Sequence, residues 1–506
     1  MKRQIIVNAV HGEKRVAIIE EKKLVELHIM RSDTGYCLGN VYSGIVKRVL
    51  PGMQAAFVEF GGTRTGFIFI NDLRTDITYE EFQKTVQDDE IEESQENQSG
   101  HPVKRDIAKY VKEGERVLVQ VIKEPIGQKG ARLTTHISLP GRFCVLLPTI
   151  SHIGISRKIT DNIKRNELKE LGTKVQKKGY GIILRTLAGS SDVKIIEKEA
   201  VSLIKKWVEI QNAYKKEKGA ALIHDSLDPL TEIIQNTGIE DLKEIVTDSR
   251  LDEKNVRSYL QFYNENPDEL VKFYDLPYPI FDYYSIEPEI TSVLKKKIWL
   301  KSGGFLIIEQ TEALTVIDVN TGKFVGKGNL ESTVLKTNLE AVEEIAYHLR
   351  LRNIAGIIVV DFIDMRNQNN KKKVISELER ELEKDPAKCS VFYFTRLGLI
   401  QITRKRTTES NISSMTEPCP YCNGNGIIRS RDTMVFQMFR DIQREVKLYG
   451  SRFINIKAHP DAAFALEHKH SEEFGELKKE LKILVEVQTD NSFHREHYIV
   501  SSREKD

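Results

Sequence analysis

Two aspartates each stand at the end of an apolar, β-branched run. Asp318 lies within the run Ala313–Asn320, and Asp361 lies within Gly356–Met365. The segment between the runs repeats apolar residues with a helical period, at Leu335, Leu339, Val342, Ile345 and Leu349. We therefore expect a strand–helix–strand unit with parallel strands and a right-handed crossover, which brings both carboxylates to the carboxyl-terminal edge of one sheet.

A pair of carboxylates at that edge is a hard-oxygen site suited to Mg²⁺ or Mn²⁺. Asn320 lies two residues after Asp318 and shares its side of the strand, so it is a candidate to orient Asp318 or a metal-bound water. Asp364, three residues after Asp361, faces the opposite way if the strand continues, and we leave it outside the inner shell. The alternative is that each aspartate only caps the segment that follows its strand.

A second cluster is the sequence Cys-Pro-Tyr-Cys at Cys419–Cys422, followed by Asn-Gly-Asn-Gly. Two thiolates at this spacing form half of a zinc ribbon, and a structural Zn²⁺ needs four ligands. Either His468, His470 or Cys389 completes the site, or two chains each donate a pair across a twofold axis, which we favour. The rival is a redox dithiol, but thioredoxin-like motifs open a helix, whereas this pair runs into a Gly-rich segment.

Short β-type runs from Gly39 to about Glu124 predict a small barrel of the OB type. A polar interruption at about 74–112 is predicted to be a mobile loop inside it. Phe57 and Phe67 are candidates to stack on RNA bases, with charge for the RNA backbone supplied by Lys47, Arg48, Arg64 and Lys123. The alternative is that both phenylalanines fill the barrel core.

Two further arginines are candidate phosphate ligands. Arg157 and the dipeptide Arg185–Thr186 lie at the ends of later β-type runs, the second leading into Gly and two Ser. Guanidinium offers paired donors that match phosphate oxygens. An ordinary surface strand end explains the same dipeptide.

The whole chain has the character of a multidomain globular protein. Its 506 residues should divide into roughly three to five domains, with a formal net charge of +2. No apolar run approaches the ~18 residues of a membrane span, and five cysteines in so long a chain suit a reducing cytoplasm rather than a disulfide framework. Residues 1–35 form a meander too short to fold alone, and 303–406 alternate strands and helices as an α/β layer.

These segments together resemble the ribonuclease E/G family of bacterial endoribonucleases. The resemblance is carried by EALTVIDVNTGKFVG, TNLEAVEEIAYHLRLRNIAGIIVVDFIDM and CPYCNGNG, and by the order of segments over essentially the whole chain. It implies a multidomain α/β and α+β fold with six parts. These are an RNase H-like subdomain (1–35 and 217–290), an inserted OB-type RNA-binding barrel (36–124), a 5′-sensor subdomain (125–216), a DNase I-like catalytic domain (291–415), a zinc link (416–426) and a small dimerisation domain (427–506).

The resemblance also assigns roles to the metal-site residues. Asp318 and Asp361 would bind the catalytic Mg²⁺, and Asn320 would position the attacking water or its ligand. Cys419 and Cys422 would share one Zn²⁺ with the partner chain.

For RNA, the resemblance implies contacts in the barrel from Phe57, Phe67 and Lys123. Residues that match the family's pocket for a 5′-monophosphate are Gly141, Val145, Arg157, Arg185 and Thr186. A further sensor arginine of the family is replaced here by Lys388, a point charge rather than a bidentate fork.

The implied function is a Mg²⁺-dependent, single-strand-specific endoribonuclease that prefers 5′-monophosphorylated RNA and acts in rRNA processing and mRNA turnover. It would work in the cytoplasm as a homodimer or homotetramer, and metal-activated water would leave a 5′-phosphate and a 3′-hydroxyl. The chain ends after the small domain, so no scaffold arm is expected. Two alternatives are a non-catalytic RNA-binding regulator with a vestigial metal site, which gives no reason for paired aspartates where a phosphate approaches, and a metal-dependent phosphatase, which the barrel disfavours.

Overall fold

The computed structural model describes residues 2–31, 38–61, 64–73, 107–123, 130–226, 228–263, 265–322, 330–405 and 410–502. The chain forms two compact units, Met1–Ser414 and Met415–Asp506. Strands and helices are numbered separately in chain order. Within the described residues, none of the helices combines the length and the apolar character needed to cross a bilayer.

The amino-terminal meander joins a sheet that later strands complete. The sheet has the order β15-β14-β1-β2-β3 and contains β1 (Arg3–Val10), β2 (Glu13–Glu20), β3 (Lys23–Arg31), β14 (Leu242–Thr247) and β15 (Val271–Phe273). β1 pairs antiparallel with β2 and parallel with β14. The helices of this region are α3 (Pro229–Thr237), α4 (Arg250–Phe262), α5 (Pro267–Leu270), α6 (Ile280–Tyr283) and α7 (Glu287–Val293).

The predicted OB-like barrel is confirmed. Its five strands close because β4 pairs with both β5 and β7, and a sixth strand, β13, extends the sheet beside β4. The strands are β4 (Val41–Leu50), β5 (Ala55–Phe60), β6 (Arg64–Phe69), β7 (Arg116–Lys123), β8 (Ala131–Thr134) and β13 (Ala221–His224). β8 and β13 lie outside the range 36–124 that the sequence suggested, because β8 is the strand that bridges β6 and β7.

The predicted mobile loop at about 74–112 lies mostly outside the described residues. Its last part, 107–112, is described and is not a loose segment, because Ile107 and Val111 are buried in the barrel core. The polar composition of the preceding residues hid these two apolar anchors.

A four-stranded sheet follows the barrel, with the order β11-β12-β10-β9. Its elements are β9 (Leu139–Pro140), β10 (Cys144–Leu147), β11 (Ile153–Ile155), β12 (Gly181–Leu184), α1 (Asn162–Gln176) and α2 (Val193–Lys216). Apolar side chains of both helices, including Leu168 and Trp207, pack on this sheet.

The α/β layer is a six-stranded sheet of order β16-β17-β18-β19-β21-β20. Its elements are β16 (Lys297–Trp299), β17 (Phe305–Gln310), β18 (Leu314–Asn320), α8 (Leu330–Leu351), β19 (Gly356–Asp361), α9 (Gln368–Leu382), β20 (Cys389–Val391) and β21 (Leu399–Arg404), with the short α10 (Asn411–Met415) where the unit ends. β18 and β19 are parallel and α8 connects them, which confirms the predicted strand–helix–strand unit.

The second unit has a three-stranded sheet of order β23-β22-β24. Its elements are α11 (Arg431–Tyr449), β22 (Phe453–Ala458), α12 (Pro460–Phe464), α13 (Ser471–Leu481), β23 (Leu484–Thr489) and β24 (Tyr498–Ser502), with a π-helical turn at Ala465–Lys469. Met438 of α11 and Phe474 of α13 belong to its core with Ile456 of β22.

Candidate active site and RNA-binding residues

The two aspartates lie side by side. Asp318 of β18 and Asp361 of β19 are register partners in the parallel pair. Ile317 and Val360, the residues just before them, are fully buried in the sheet core, so both aspartates point to the opposite face. The alternation of apolar and polar residues in each strand therefore places the pair on one face.

Asn320 shares that face. Its amide Nδ2 donates a 2.7 Å hydrogen bond to Oδ2 of Asp318. Both side chains are half-buried, so this contact fixes the orientation of the Asp318 carboxylate while its other oxygen stays available to a ligand.

The site is electrostatically poised for a cation. The pKa of Asp361 is raised by partial burial and then by the neighbouring carboxylates of Asp318 and Asp364. Like charges held this close repel, and a divalent cation between them removes that repulsion. Among the described residues, no group of three or more His, Cys, Asp or Glu side chains is arranged to hold a metal. The groups that could hold a cation here are the two carboxylates of Asp318 and Asp361, and the Asn320 amide orients the first of them.

Asp364 lies closer to the pair than the sequence suggested. β19 ends at Asp361, so the strand alternation that would turn Asp364 away does not reach it. Its exposed carboxylate is near enough to raise the pKa of Asp361. The expectation that Asp364 faces the opposite side applies only if the strand continues, and β19 ends before it.

Sequence reasoning missed Asn338, which holds the segment after Asp361. This fully buried side chain of α8 donates from Nδ2 to the carbonyl of Ile363 at 2.9 Å and accepts the N–H of Ile363 at 3.1 Å. The only signal was an amide on the apolar side of a predicted helix. The paired contact ties α8 to the loop that follows β19.

The barrel carries a lateral row of basic and aromatic residues. In register across the strands, Arg48 pairs with Phe57, Phe57 with Phe67, Phe67 with Arg132, and Arg132 with Lys123. Residues paired across strands share a face, so the row brings aromatic and cationic side chains together. Within it, Arg132 is 8% exposed and ion-paired with Asp72.

Phe57 does not fill the barrel core. Its side chain is 40% exposed, whereas Phe60 is 1% exposed and belongs to the core. Phe67 is half-buried and stacks edge-to-face on Phe69. Of the basic residues named from the sequence, Lys47 is ion-paired with Glu59, and the side chain of Arg64 lies outside the described residues.

Most of the candidate phosphate ligands meet at one end of the four-stranded sheet. Arg185 and Thr186 follow β12, and Arg157 follows β11, which runs parallel to β12. Gly141 precedes the antiparallel β10, so it lies at the same end, and Arg185 Nη1 donates to its carbonyl at 2.9 Å. Val145 lies one position further into the sheet, opposite Ile183.

The hydroxyl of Thr186 lies 2.9 Å from that of Ser156, and Arg157 is exposed. Lys388 is elsewhere, at the start of β20, where its carbonyl accepts the N–H of Lys405. Within the described residues, Lys388 forms no hydrogen bond or ion pair with the group around Arg185.

A buried carboxylate that no sequence motif indicated holds the loop before β10. Glu199 of α2 is 2% exposed and accepts the N–H groups of Arg142, Phe143 and Cys144 at 2.6, 2.9 and 2.9 Å. Burial and this carboxylate raise the pKa of the Cys144 thiol well above its ordinary value, so the thiol stays protonated. Glu199 therefore fixes the loop that positions Gly141.

The cysteine pair forms a tight turn. The N–H of Gly426 donates to Sγ of Cys422 at 3.2 Å, and Gly424 and Gly426 have φ of +82° and +72°, which glycine adopts without strain. Backbone N–H groups of Cys422 and Tyr421, followed by the Cys422 thiol, lower the pKa of the Cys419 thiol. Donors directed at sulfur favour the thiolate, the form that binds zinc. The pair precedes α11 by several residues and does not open that helix.

Comparison with known proteins gives one consistent result. The profile described as "Ribonuclease E/G family" matches residues 138–407, and that described as "RNase E/G, Thioredoxin-like domain" matches residues 418–503. The chain is similar to Ribonuclease G of Escherichia coli strain K12, with 36% identity over 502 residues covering 99% of both chains.

Two further relatives are a Ribonuclease G and a Ribonuclease E. Ribonuclease G of Haemophilus influenzae is 36% identical over 502 residues, covering 98% of this chain and 99% of that protein. Ribonuclease E of a Nostoc species is 36% identical over 431 residues, covering 84% of this chain and 59% of that protein.

Proposed function

This chain belongs to the ribonuclease E/G family, and we propose that Asp318 and Asp361 form the centre at which it cuts RNA. Membership makes the protein an endoribonuclease, a hydrolase that acts in RNA processing and turnover. The observation that carries the proposal is the register pairing of the two aspartates, with Asn320 bonded to one of them.

We propose Mg²⁺ as the cofactor of this centre. Asp318 and Asp361 would hold it, and when bound it supplies positive charge that activates water and stabilises the phosphodiester in transit. Asn320 keeps the Asp318 carboxylate in one orientation, and Asn338 holds the loop beyond Asp361. In the reaction, water adds to phosphorus and the bond to the 3′-oxygen breaks, leaving a 5′-phosphate and a 3′-hydroxyl.

We further propose that the barrel row binds single-stranded RNA. Phe57, Phe67 and Lys123 would contact the strand, since an exposed and a half-buried aromatic beside a cation suit unpaired bases and their phosphates. Stacking on these rings requires base faces that are free, so the substrate must be single-stranded.

Replacing Phe57 by alanine should weaken RNA binding without unfolding the barrel. We expect the KM for a single-stranded oligoribonucleotide to rise roughly tenfold, the loss of one stacked base, with the melting temperature unchanged. The matched control is Phe60→Ala, whose buried ring should cost about 3–5 kcal/mol of stability. Equal destabilisation by both variants would place Phe57 in the core and remove its proposed role.

The residues around Arg185 are proposed to bind a 5′-monophosphate. The pocket would be formed by Gly141, Val145, Arg157, Arg185 and Thr186. All of them except Val145 lie at one end of the four-stranded sheet, which supports the proposal. Lys388 would contribute only if RNA binding brings it to this pocket. The strength of the preference for a 5′-monophosphate would then depend on Lys388.

Arg185→Ala should slow cleavage of 5′-monophosphorylated RNA about tenfold while leaving 5′-hydroxyl RNA almost unaffected, because a charge-assisted contact is lost. Matched substrates that differ only at the 5′ end measure this ratio. Arg185→Lys keeps the charge and loses the fork, so an intermediate ratio is expected. Equal slowing of both substrates would mean that Arg185 only supports Gly141.

The remaining parts follow the family. We propose that Cys419 and Cys422 share one Zn²⁺ with the same pair of a second chain, giving a homodimer that can pair into a homotetramer. The domain boundaries given above are also proposed, with the barrel extended to β8 and β13. A cytoplasmic location suits the free thiols of Cys144, Cys389, Cys419 and Cys422.

A further inference from the structure

The face of the six-stranded sheet that carries the aspartates also carries exposed aromatic residues. Side chains such as Leu306 and Ile317 point to the core with α8 and α9. On the aspartate face, Trp299 is 64% exposed and Phe392 is 49% exposed. Large aromatic surface left in water beside a catalytic pair indicates a binding surface.

The strand register relates Trp299 to the centre. Trp299 of β16 pairs with Phe305 of β17, and Phe305 pairs with Asn320 of β18. In the adjacent row, Lys297 pairs with Ile307, and Ile307 pairs with Asp318. With neighbouring strands ~4.8 Å apart, the backbone of Trp299 is about 10 Å from that of Asn320. This is near enough for one RNA strand to touch both.

Three side chains form a fixed platform on this face. The rings of Trp299 and Phe305 meet edge-to-face with centroids 5.5 Å apart. Lys297 Nζ lies 4.2 Å from the Trp299 ring centroid and 3.7 Å from that of Phe305. The Phe305 ring therefore holds the indole, and the Lys297 ammonium lies over one indole face. Because Trp299 is 64% exposed, we take the other face as the one available to a base.

We propose that Trp299 stacks on a base of the RNA next to the cut phosphodiester, with Phe305 supporting the indole and Lys297 contacting a backbone phosphate. This inference rests on the proposed function and adds a substrate-binding element to the same site. An aromatic face with an adjacent cation suits a single-stranded nucleic acid. A twofold contact between two copies through this patch would bring two Lys297 ammonium groups together, so RNA is the better occupant.

The tryptophan content makes the test direct. The chain has two tryptophans, and the other, Trp207, is 5% exposed and lies in the core of the four-stranded sheet. In an Asp361→Asn background that prevents cleavage, titration with a 5′-phosphorylated single-stranded oligoribonucleotide should quench the exposed emission. Trp299→Phe in that background should abolish the quenching and leave the Trp207 emission. Quenching that persists in the Trp299→Phe variant overturns the proposal. So does a protein with Trp299 whose emission is not quenched while fluorescence anisotropy of labelled RNA reports binding.

The cleavage readout uses otherwise unmodified protein. Trp299→Ala should raise KM roughly tenfold with a smaller change in kcat, and Trp299→Phe should recover most of the loss. The matched control is Tyr278→Ala, which removes a 68% exposed aromatic that belongs to no strand of this sheet and should change neither constant. If Trp299→Ala has the same KM and kcat as the wild-type protein, the inference is overturned. It is also overturned if the Trp299 emission responds to protein concentration and not to RNA. Neither outcome affects the proposed function. If the wild-type protein does not cleave RNA, the proposed function is wrong. The RNA titration followed by tryptophan fluorescence still tests the role of Trp299 in that case.

Discussion

Asp361→Asn is expected to lower the rate of RNA cleavage about a thousandfold or more at saturating Mg²⁺. The substitution keeps the shape of the side chain and removes one of the two charges that we propose to hold the metal. RNA affinity should stay equal or become slightly tighter, because the charge removed repels phosphate. Single-turnover cleavage and anisotropy of the same labelled oligonucleotide measure the two quantities separately.

The matched control for this prediction is Asp364→Asn. Asp364 is exposed, lies three residues further along and raises the pKa of Asp361, but we place it outside the metal's inner shell. Its replacement should slow cleavage by less than about tenfold, the scale of a nearby charge rather than a ligand. If both variants lose activity equally, Asp364 belongs to the inner shell. Retained cleavage by Asp361→Asn would remove the centre altogether.

Cys419→Ser is expected to release the zinc and separate the dimer. The wild-type protein should contain about half a zinc per chain, since four thiolates from two chains share one ion. Replacing one thiolate in each chain removes two of the four ligands, so metal content and dimer should be lost together. Elemental analysis and light scattering on the same sample measure both.

Cys389→Ser is the control for the zinc prediction. The Cys389 thiol is half-buried and donates to the carbonyl of Ala387, and burial followed by the Asp385 carboxylate raises its pKa to about 12. This protonated thiol is a poor zinc ligand, so the variant should keep its metal and its dimer. One whole zinc per chain that survives dissociation would mean that a single chain completes the site.

The active-site pair was predictable because its causes are local. Alternation in ALTVID and IIVVD sets which side chains face the core, and the helical period of the connection forces the strands to be parallel. Together these bring Asp318 and Asp361 to adjacent positions, as the structure has them. The point at which β19 ends was not predictable in the same way, so the orientation of Asp364 depended on how far the strand continues.

Residues whose roles depend on distant partners were not predictable. Asn338 and Glu199 each act through backbone groups that are far away in sequence, 25 residues for Asn338 and 55 for the nearest Glu199 contact. Glu199 belongs to no motif named above, and Asn338 lies within the segment TNLEAVEEI without any sign of its role. Each looks like an ordinary polar residue of an amphipathic helix. Their roles appear only when the helices pack.

The orientation of the barrel phenylalanines was predictable only in part. Phe57 and Phe60 stand three residues apart in one strand, so they point to opposite faces, and one of them had to be outside. Which one depends on how the barrel closes, and closure uses β7 and β8, which come much later in the chain. The platform of Trp299 and Phe305 likewise depends on the pairing of β16 with β17.

The chemical identity of the cleaved ends decides whether Asp318 and Asp361 direct metal-dependent hydrolysis of RNA. A single-stranded oligoribonucleotide is incubated with the wild-type protein and with Asp361→Asn, each with Mg²⁺ and with EDTA, and the products are analysed by mass spectrometry. We expect a 5′-phosphate and a 3′-hydroxyl from the wild-type protein with Mg²⁺ alone. A 2′,3′-cyclic phosphate, or the same products from Asp361→Asn, would contradict this expectation.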